Sequence, residues 1–289
     1  MTVLEGIQKS AEFLAKKGVE SPRLQAELLL AHVLKLPRMK LYLNFERALS
    51  EPETDAFREL VKRRSQREPL QHIVGSTSFC GLEIAVNRNV LVPRPETELL
   101  AETGWSFLST INSQNSQPST ALDFGTGSGC IAIALAAKCP GAKIVALDVS
   151  KDALDLAIEN AKRNNVADRI EFSHGNSLEV LQTPPPAAQF DLVISNPPYI
   201  LTREIETLEP EVRDYDPRIA LDGGPDGLDF YRRLAKEAAP VLKPDGKIML
   251  EFGDGQGDAV RKIFEDQNWI VEAIREDYTQ RQRILIARR

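Results

Sequence analysis

The chain of 289 residues is long enough for about two domains of ordinary size. A hydrophobic fraction of 42% and a charged fraction of 27% are typical of a folded globular protein and exclude a disordered or fibrous chain. The formal charge of -6 argues against a protein that binds nucleic acid mainly by neutralising phosphates, so we expect a protein or small-molecule partner. No apolar run approaches the ~20 residues of a membrane span and no signal-peptide pattern is present, which predicts a cytoplasmic protein.

The cysteines of the chain, Cys80, Cys130 and Cys139, are odd in number and lack the spacing of metal ligands. We therefore predict that they are small buried hydrophobic residues and that the chain binds no metal.

Residues 1–70 carry helical periodicity only. Three sets of apolar residues recur at helical spacing, and the second and third follow the helix-start signals Ser21-Pro22 and Ser50 to Glu53. The first set is Leu4, Ile7, Ala11 and Leu14; the second is Leu24, Leu28, Ala31 and Leu34; the third is Phe57, Leu60 and Val61. The pattern predicts a small all-helical N-terminal domain. The basic run from Lys62 to Arg67 suits a solvated face near a helix C-terminus, with a docking patch for a partner as the alternative.

Residues 71–92 change to short β-prone pieces. Ile73-Val74 and Leu82 to Val86 are separated by Gly75 and Gly81, which predicts a β-hairpin linker. The next segment, residues 92–98, reads Val-Pro-Arg-Pro-Glu-Thr-Glu and is typical of a stiff turn that leads into a helix with acidic residues in its first turn.

From Thr120 onwards strands, turns and helices alternate, which predicts an α/β domain over residues 93–289. Seven strands are expected near residues 121–124, 143–148, 169–173, 190–195, 247–252, 269–274 and 283–287, with helices near 131–136, 151–164, 227–242 and 257–266. Such a sheet is mostly parallel, and its ligands bind beyond the carboxyl ends of the strands. The Gly125–Gly129 loop, Asp148 and Asn196 all follow strands, so we expect them around one crevice.

The strongest chemical signal lies where an apolar run, Phe190 to Ile194, stops at Asn196-Pro197-Pro198-Tyr199. A residue before proline avoids helical geometry, so the strand ends at Asn196. Prolines keep their carbonyl groups but have no N–H, and the asparagine adds a side-chain carbonyl. These acceptors suit a flat NH₂ group, and the tyrosine ring offers a surface on which a planar amide or base can lie.

The glycine loop indicates which nucleoside is bound. A dinucleotide fingerprint requires a glycine where Cys130 stands, and no Gly-Lys-Ser or Gly-Lys-Thr is present for a nucleotide phosphate. The remaining pattern is Asp123 followed by glycines at 125, 127 and 129. A carboxylate facing the crevice suits a cationic ligand such as S-adenosylmethionine, and Asp148 stands where a ribose-binding acid belongs.

With these motifs the chain resembles class I S-adenosylmethionine-dependent methyltransferases with a Rossmann-like sheet, and most closely the PrmC/HemK family of release-factor glutamine methyltransferases. The resemblance covers essentially the whole chain; the segments that carry it, besides Asn196 to Tyr199, are residues 67–75, 92–98, 209–210 and 220–228. The chain departs from the family pattern in two places: His72 stands where the family usually has an aromatic residue, and Asn176-Ser177 stands where it usually has an aspartate followed by an aromatic residue.

The resemblance implies transfer of a methyl group to the side-chain amide nitrogen of the glutamine in the Gly-Gly-Gln motif of class I peptide-chain release factors. It implies that residues 1–70 recognise the protein substrate. The implied catalytic residues are Asn196, Pro197, Pro198 and Tyr199. The implied residues for S-adenosylmethionine are Asp123, Gly125, Thr126, Gly127, Ser128, Gly129, Asp148, Asn176, Ser177 and Asn196.

Two alternatives stay open from the residues alone. An adenine N6 or guanine N2 amine presents the same flat NH₂ as a glutamine amide, although no basic nucleic-acid-binding domain is evident and no nucleic-acid substrate is expected. A non-enzymatic S-adenosylmethionine-binding adaptor would not need the Asn196 to Tyr199 motif.

Overall fold

The computed structural model describes residues 1–114, 117–178 and 190–289. These residues form two compact units: residues 1–76 with 208–215, and residues 77–207 with 216–289. The N-terminal unit thus includes a segment from far downstream in the chain. The sequence-based boundaries at residues 70 and 92 stay a prediction.

The first unit is helical, as the periodicity predicts. Its helices are α1 (Val3–Lys16), α2 (Pro22–Leu34), α3 (Arg38–Leu41), α4 (Glu51–Ser65), α5 (Leu70–Val74) and, from the downstream segment, α9 (Pro210–Arg213). Ser50 caps α4 in a reciprocal capping box with Glu53. One hydrophobic cluster forms the core and includes Val3, Ile7, Leu14, Leu29, Leu30, Leu41 and Phe57.

Three details of the sequence-based predictions for this unit are wrong. Ser21 makes no side-chain cap for α2, because its backbone is left-handed, with φ 46°. The α2 face that includes Leu29 and Leu30 is buried while Leu24 is 41% exposed, since five leucines on one helix produce overlapping apolar stripes. Ile73 and Val74 are helical, and the first hairpin strand begins after them.

The basic run is largely a structural anchor rather than a solvated face. Arg64 is buried and its Nη2 lies 2.7 Å from Glu211 Oε1. Arg67 Nη2 lies 2.7 Å from Glu209 Oε2 and 2.6 Å from Glu211 Oε2. These pairs hold the downstream segment in the first unit, and among the basic residues of the run only Lys62 is exposed.

The second unit contains a hairpin and a seven-stranded sheet. The hairpin is β1 (Ser76–Phe79) and β2 (Leu82–Ala85); the sheet strands are β3 (Thr120–Phe124), β4 (Lys143–Asp148), β5 (Ile170–His174), β6 (Phe190–Ser195), β7 (Leu242–Glu251), β8 (Ile270–Glu276) and β9 (Gln282–Arg288). The helices are α6 (Pro95–Gln114), α7 (Cys130–Lys138), α8 (Lys151–Arg163), α10 (Asp229–Glu237) and α11 (Gly257–Glu265). None of the described helices combines the length and apolar character required to cross a membrane.

The sheet order is β5-β4-β3-β6-β7-β9-β8. Strand β9 pairs antiparallel with both β7 and β8, and all the other pairs are parallel. From β3 the chain proceeds outwards through β4 and β5, then returns to the other side of β3 as β6. The crevice between the ends of β3 and β6 is therefore the switch point at which such sheets bind ligands.

Strand β6 is buried on both faces, which explains its continuous apolar run. Leu192 and Ile194 join the hydrophobic cluster on one side of the sheet, and Phe190 and Val193 join the other. Of the cysteines, Cys130 and Cys139 are buried as expected, whereas Cys80 is only partly buried.

Two boundaries differ from the sequence prediction. Helix α10 ends at Glu237 rather than 242, because the chain turns into a short 3-10 helix, Ala239–Val241, that contains Pro240. Strand β7 begins at Leu242, five residues earlier than position 247, and its pairing with β6 is irregular between Phe190 and Leu192.

Candidate active site

A cavity of about 310 Å³ lies at the carboxyl ends of the central parallel strands. Its wall contains seven of the residues that the sequence singles out: Gly125, Gly127, Asp148, Asn176, Asn196, Pro197 and Pro198. The wall is completed mainly by apolar side chains, among them Val149, Ala153, Ile219 and Phe230. A mostly apolar cleft with a few convergent polar groups is typical of a nucleoside site.

The glycine loop leaves open space at the floor of this cavity. Gly125 and Gly127 adopt φ of 72° and 54°, and a Cβ added at either position would meet no atom within 4 Å. Gly129 serves packing instead: it begins α7 with φ 80°, and an added Cβ would lie 3.0 Å from the Cβ of Ala157 on α8. The first two glycines therefore admit a ligand, and the third brings two helices together.

Asp148 is the last residue of β4, and its carboxylate accepts hydrogen bonds from two backbone N–H groups beside the cavity. Its Oδ2 accepts a hydrogen bond of 2.8 Å from the Gly127 N–H, and its Oδ1 accepts one of 2.9 Å from the Ser150 N–H. Each carboxylate oxygen has a further lone pair. The residue can thus hold the glycine loop and still accept hydroxyl groups from a ribose.

The expectation that Asp123 faces the crevice is wrong. The side chain is fully buried beneath the loop, where Oδ2 accepts hydrogen bonds from the Thr126 hydroxyl at 2.6 Å and the Ala132 N–H at 3.1 Å. Burial raises the pKa of Asp123 to about 7. This carboxyl group therefore ties the glycine loop to α7, and it lies outside the cavity wall.

Other predicted ligand residues also point away from the cavity. Thr126 and Ser128 are buried, and the Ser177 hydroxyl donates a hydrogen bond of 3.1 Å to Glu237 Oε2. Asn176 stays in the wall, and its backbone carbonyl accepts a hydrogen bond from Arg233. Of the pair that departs from the family pattern, the asparagine alone lines the cavity.

The wall opposite the glycine loop is fastened by the motif at residues 92–98. Arg94 donates a hydrogen bond of 2.8 Å to the nearly buried Asp216, immediately before Pro217, Ile219 and Ala220 in the wall. Burial raises the pKa of Asp216 to about 6, although Arg94 opposes this shift. An arginine in a sequence motif thus positions one side of the cavity.

The Asn196 to Tyr199 loop is supported closely by its neighbours. The Ser195 hydroxyl donates a hydrogen bond of 2.6 Å to the carbonyl of Phe124, which joins the ends of β6 and β3. A Cβ added at Gly223 would lie 2.7 Å from the Cα of Tyr199 and 2.9 Å from the carbonyl oxygen of Pro198. Gly223, in the segment 220–228, therefore serves a close approach of two backbones.

Gln256 holds the far end of the same loop. Its Nε2 donates a hydrogen bond of 3.0 Å to the Tyr199 carbonyl, while its Oε1 accepts one of 2.9 Å from the Gly253 N–H. The Tyr199 ring packs against the hydrophobic cluster that covers one face of the sheet and does not line the cavity. Burial raises the pKa of Tyr199 to about 12, so its hydroxyl stays protonated at neutral pH.

A buried polar chain fixes Asn196, and sequence reasoning missed two of its members. Asn196 Nδ2 donates a hydrogen bond of 3.1 Å to Thr97 Oγ1, and that hydroxyl donates one of 2.7 Å to Glu251 Oε2. Burial raises the pKa of Glu251 to about 7, while Thr97 and Arg283 oppose the shift. The sequence offered a sign of a role for Thr97, because this residue lies in the motif at residues 92–98. Glu251 lies at the end of an apolar strand, and nothing in the sequence distinguished it from an ordinary acidic residue in a turn.

The fold and the cavity define a class I S-adenosylmethionine-dependent methyltransferase. Residues 103–208 match the family model "Methyltransferase small domain". A solved methyltransferase from Pyrococcus furiosus has the same fold, with a TM-score of 0.51 and 22% identity over 78% of this chain and 98% of that one. S-adenosylmethionine is the methyl donor of the class, as the glycine loop and Asp148 predict.

Within this class the chain belongs to the release factor glutamine methyltransferase family. Residues 5–75 match the family model "PrmC N-terminal domain". A protein named release factor glutamine methyltransferase from Geobacter sulfurreducens is 43% identical, covering 91% of this chain and 88% of that protein. One of the same name from Chlorobaculum tepidum is 42% identical, covering 91% and 89%. The resemblance stated from the motifs is confirmed.

Proposed function

We propose that this protein transfers a methyl group from S-adenosylmethionine to the side-chain amide nitrogen of the glutamine in the Gly-Gly-Gln motif of peptide-chain release factors. The observation that carries the proposal is the position of Asn196, Pro197 and Pro198 in the wall of the same cavity whose floor is the glycine loop. Acceptors for a planar NH₂ group thus lie beside the space for the methyl donor.

The residues of the cavity fit S-adenosylmethionine. Asp148 would accept the ribose hydroxyls, Gly125 and Gly127 leave room for the amino acid part, and Asn176 would accept the adenine amine through its side-chain carbonyl. The buried Asp123 would act indirectly, together with Thr126, Ser128 and Gly129, by shaping the loop. When bound, the cofactor supplies an electrophilic methyl group.

The chain's own contribution to the reaction is orientation. The lone pair of an amide nitrogen is delocalised into the carbonyl group, so the nitrogen is a weak nucleophile. Asn196 Oδ1 and the Pro197 carbonyl would accept the two N–H bonds of the substrate amide, which aims the nitrogen and favours the positive charge that develops on it. A protonated methylated amide is strongly acidic and loses its proton to solvent, so no dedicated base is required.

The role proposed for Tyr199 changes with the structure. The Tyr199 ring is partly buried against the hydrophobic cluster and does not line the cavity, and the Tyr199 carbonyl accepts a hydrogen bond from Gln256. Tyr199 and Pro198 are therefore positioning residues that keep the acceptors of Asn196 and Pro197 in place.

We propose that residues 1–70 recognise the release factor outside the cavity. A glutamine side chain alone offers too little surface to be distinguished from other glutamines, so specificity requires further contacts. A chain without residues 1–70 should lose kcat/KM on whole release factor much more than on a short Gly-Gly-Gln peptide. Its melting temperature must be measured as a control, because Glu209 and Glu211 lose their arginine partners in this variant.

Methyl transfer from radiolabelled S-adenosylmethionine tests the main proposal. Purified release factor should become labelled, and a release factor with the motif glutamine replaced by alanine should not. DNA and RNA serve as parallel acceptors, because label on an exocyclic amine would instead identify a nucleic-acid methyltransferase. Because the proposed substrates act in translation, we propose that the protein works in the cytoplasm.

A further inference from the structure

Thr97 stands between the Asn196 amide and the Glu251 carboxylate in a site closed to water. Both Thr97 and Glu251 are 2% exposed. The distances are 3.1 Å from Asn196 Nδ2 to Thr97 Oγ1 and 2.7 Å from Thr97 Oγ1 to Glu251 Oε2. The Thr97 hydroxyl and the Glu251 carboxylate are therefore shielded from solvent, whereas Asn196 also faces the cavity.

The charge of the carboxylate dictates the direction of this chain. A hydroxyl has one proton, and an ionised carboxylate only accepts, so the Thr97 proton is committed to Glu251. The Thr97 oxygen can then only accept from Asn196, which turns the NH₂ of the amide towards Thr97. The carbonyl oxygen of Asn196, on the opposite side of the amide group, is left for the substrate.

We propose that Thr97 and Glu251 are positioning residues that select the productive orientation of the Asn196 amide, and that protonation of Glu251 reverses this orientation and switches methyl transfer off. The inference rests on the proposed role of Asn196 as the acceptor for the glutamine amide. It adds a control element that the sequence motif alone does not reveal.

The reversed state follows from moving a single proton. When the ionised Glu251 carboxylate takes up one proton from solvent it becomes neutral, and its new O–H donates a hydrogen bond to the Thr97 oxygen. The Thr97 proton is then left to the Asn196 carbonyl oxygen, because an unpaired buried hydroxyl proton costs free energy. The amide now presents its NH₂ to the substrate NH₂, which places a donor against a donor. No covalent bond other than the O–H of Glu251 changes.

The groups around Glu251 put its titration within the working range. Burial raises its pKa to about 7; Thr97, Arg283 on β9 and Asn196 favour the ionised form, whereas Glu96 on α6 opposes it. Tyr199 and Tyr231 also face the carboxylate, and the Tyr231 hydroxyl donates to the Glu251 backbone carbonyl. Glu251 is ionised above neutrality, so activity is expected to fall as the pH falls through about 7.

The test is the pH profile of kcat on whole release factor at saturating S-adenosylmethionine. The unmodified chain should show a loss of kcat on the acid side of neutrality. Thr97→Val removes the hydroxyl with little change of shape; we expect kcat to fall about tenfold at alkaline pH. The acid-side loss should then be absent, while affinity for S-adenosylmethionine is kept. Thr97→Ser should restore both the rate and the acid-side loss.

Two further variants separate this control from a structural defect. Glu251→Gln cannot ionise, so its kcat, whatever its level, should become independent of pH across neutrality. Thr103→Val is the matched control on the same helix, because the Thr103 hydroxyl is buried and donates to Leu99 O. It should leave both kcat and the pH profile unchanged. An acid-side loss that persists in Glu251→Gln or Thr97→Val would overturn the proposal.

A spectroscopic readout does not depend on turnover. The ¹⁵N–¹H signals of the Asn196 side-chain NH₂, identified by their loss in Asn196→Ala, should shift with pH around neutrality and should lose this shift in Glu251→Gln. If Asn196→Ala retains near-normal turnover, the proposed function of Asn196 fails. If Asn196→Ala is inactive but Thr97→Val behaves as the unmodified chain does, the orientation control alone fails.

Discussion

The two loops that border the cavity are built in opposite ways. The Gly125–Gly129 loop leaves its cavity side empty, so that Gly125 and Gly127 have no neighbour where a side chain would be. The Asn196–Tyr199 loop, in contrast, is closely approached by Gly223 and is held by hydrogen bonds to Gln256 and Thr97. The Gly125–Gly129 loop therefore leaves room for a ligand, and we call it the receptor loop. The Asn196–Tyr199 loop holds a reacting group rigidly in place, and we call it the frame.

This comparison predicts that the two loops can be damaged separately. Changes at the frame should lower kcat with a smaller effect on affinity for S-adenosylmethionine. Changes at the receptor loop should lower affinity with a smaller effect on the rate at saturation. A shared pattern of losses would mean that the two loops act as a single element.

The largest effect is expected from Asn196→Ala. The change removes an oriented acceptor beside a developing positive charge, which is worth about 100-fold or more in kcat. Titration calorimetry should show a much smaller change in affinity for S-adenosylmethionine. Asn44→Ala, at a partly exposed asparagine of the helical unit, is the control and should leave turnover intact. Turnover of Asn196→Ala close to that of the unmodified chain would refute the role of this residue.

Gly223→Ala tests the frame without touching a reacting group. The new Cβ would lie 2.7 Å from the Cα of Tyr199, so the loop must move. A displacement of about 1 Å in a positioned group costs up to ~100-fold in rate. Single-turnover kinetics should show this loss together with nearly normal binding of S-adenosylmethionine. Equal losses of rate and affinity would show that the displaced backbone also shapes the cofactor site.

Asp148→Ala tests the receptor loop. The carboxylate accepts hydrogen bonds from the Gly127 and Ser150 N–H groups and is proposed to accept the ribose hydroxyls. Hydrogen bonds to charged groups contribute about 1.5–3 kcal/mol, which corresponds to a loss of affinity of about 10-fold to 100-fold. Calorimetry measures this directly, and an unchanged dissociation constant would remove Asp148 from the cofactor site.

The smallest effect separates backbone strain from occupied space. Gly127→Ala and Gly81→Ala place an alanine at φ of 54° and 78°, and neither Cβ meets an atom within 4 Å. Each should cost about 1–2 kcal/mol of stability in thermal unfolding because left-handed geometry disfavours a side chain. Only Gly127→Ala also fills the cavity, so only this variant should weaken binding of S-adenosylmethionine. Equal affinities in the two variants would place the cofactor elsewhere.

The sequence predicted the fold well where burial is two-sided or periodic. The run at residues 190–195 is a strand because Phe190 and residues 192–194 are apolar and pack on both faces of the sheet, and the seven strands and the helical N-terminal unit were all anticipated. Predictions were weaker where several apolar stripes competed, as with Leu24 on α2, and where a single proline decided an end, as at Pro240. Local sequence preference alone does not decide between two possible buried faces of a helix, or between two possible helix ends, when their free energies are similar.

For the candidate site, the sequence by itself determined which residues follow the strands, and therefore that Gly125, Asp148 and Asn196 meet at one crevice. Only the tertiary structure decided which way each side chain points. Asp123 lies under the loop, the Tyr199 ring is partly buried against the core, and Thr97 lies between Asn196 and Glu251. The physical reason is that the residue at which a strand ends is set largely by local sequence preferences, such as an apolar run that stops at a proline. A hydrogen bond between residues 154 positions apart depends instead on how the helices and the sheet pack.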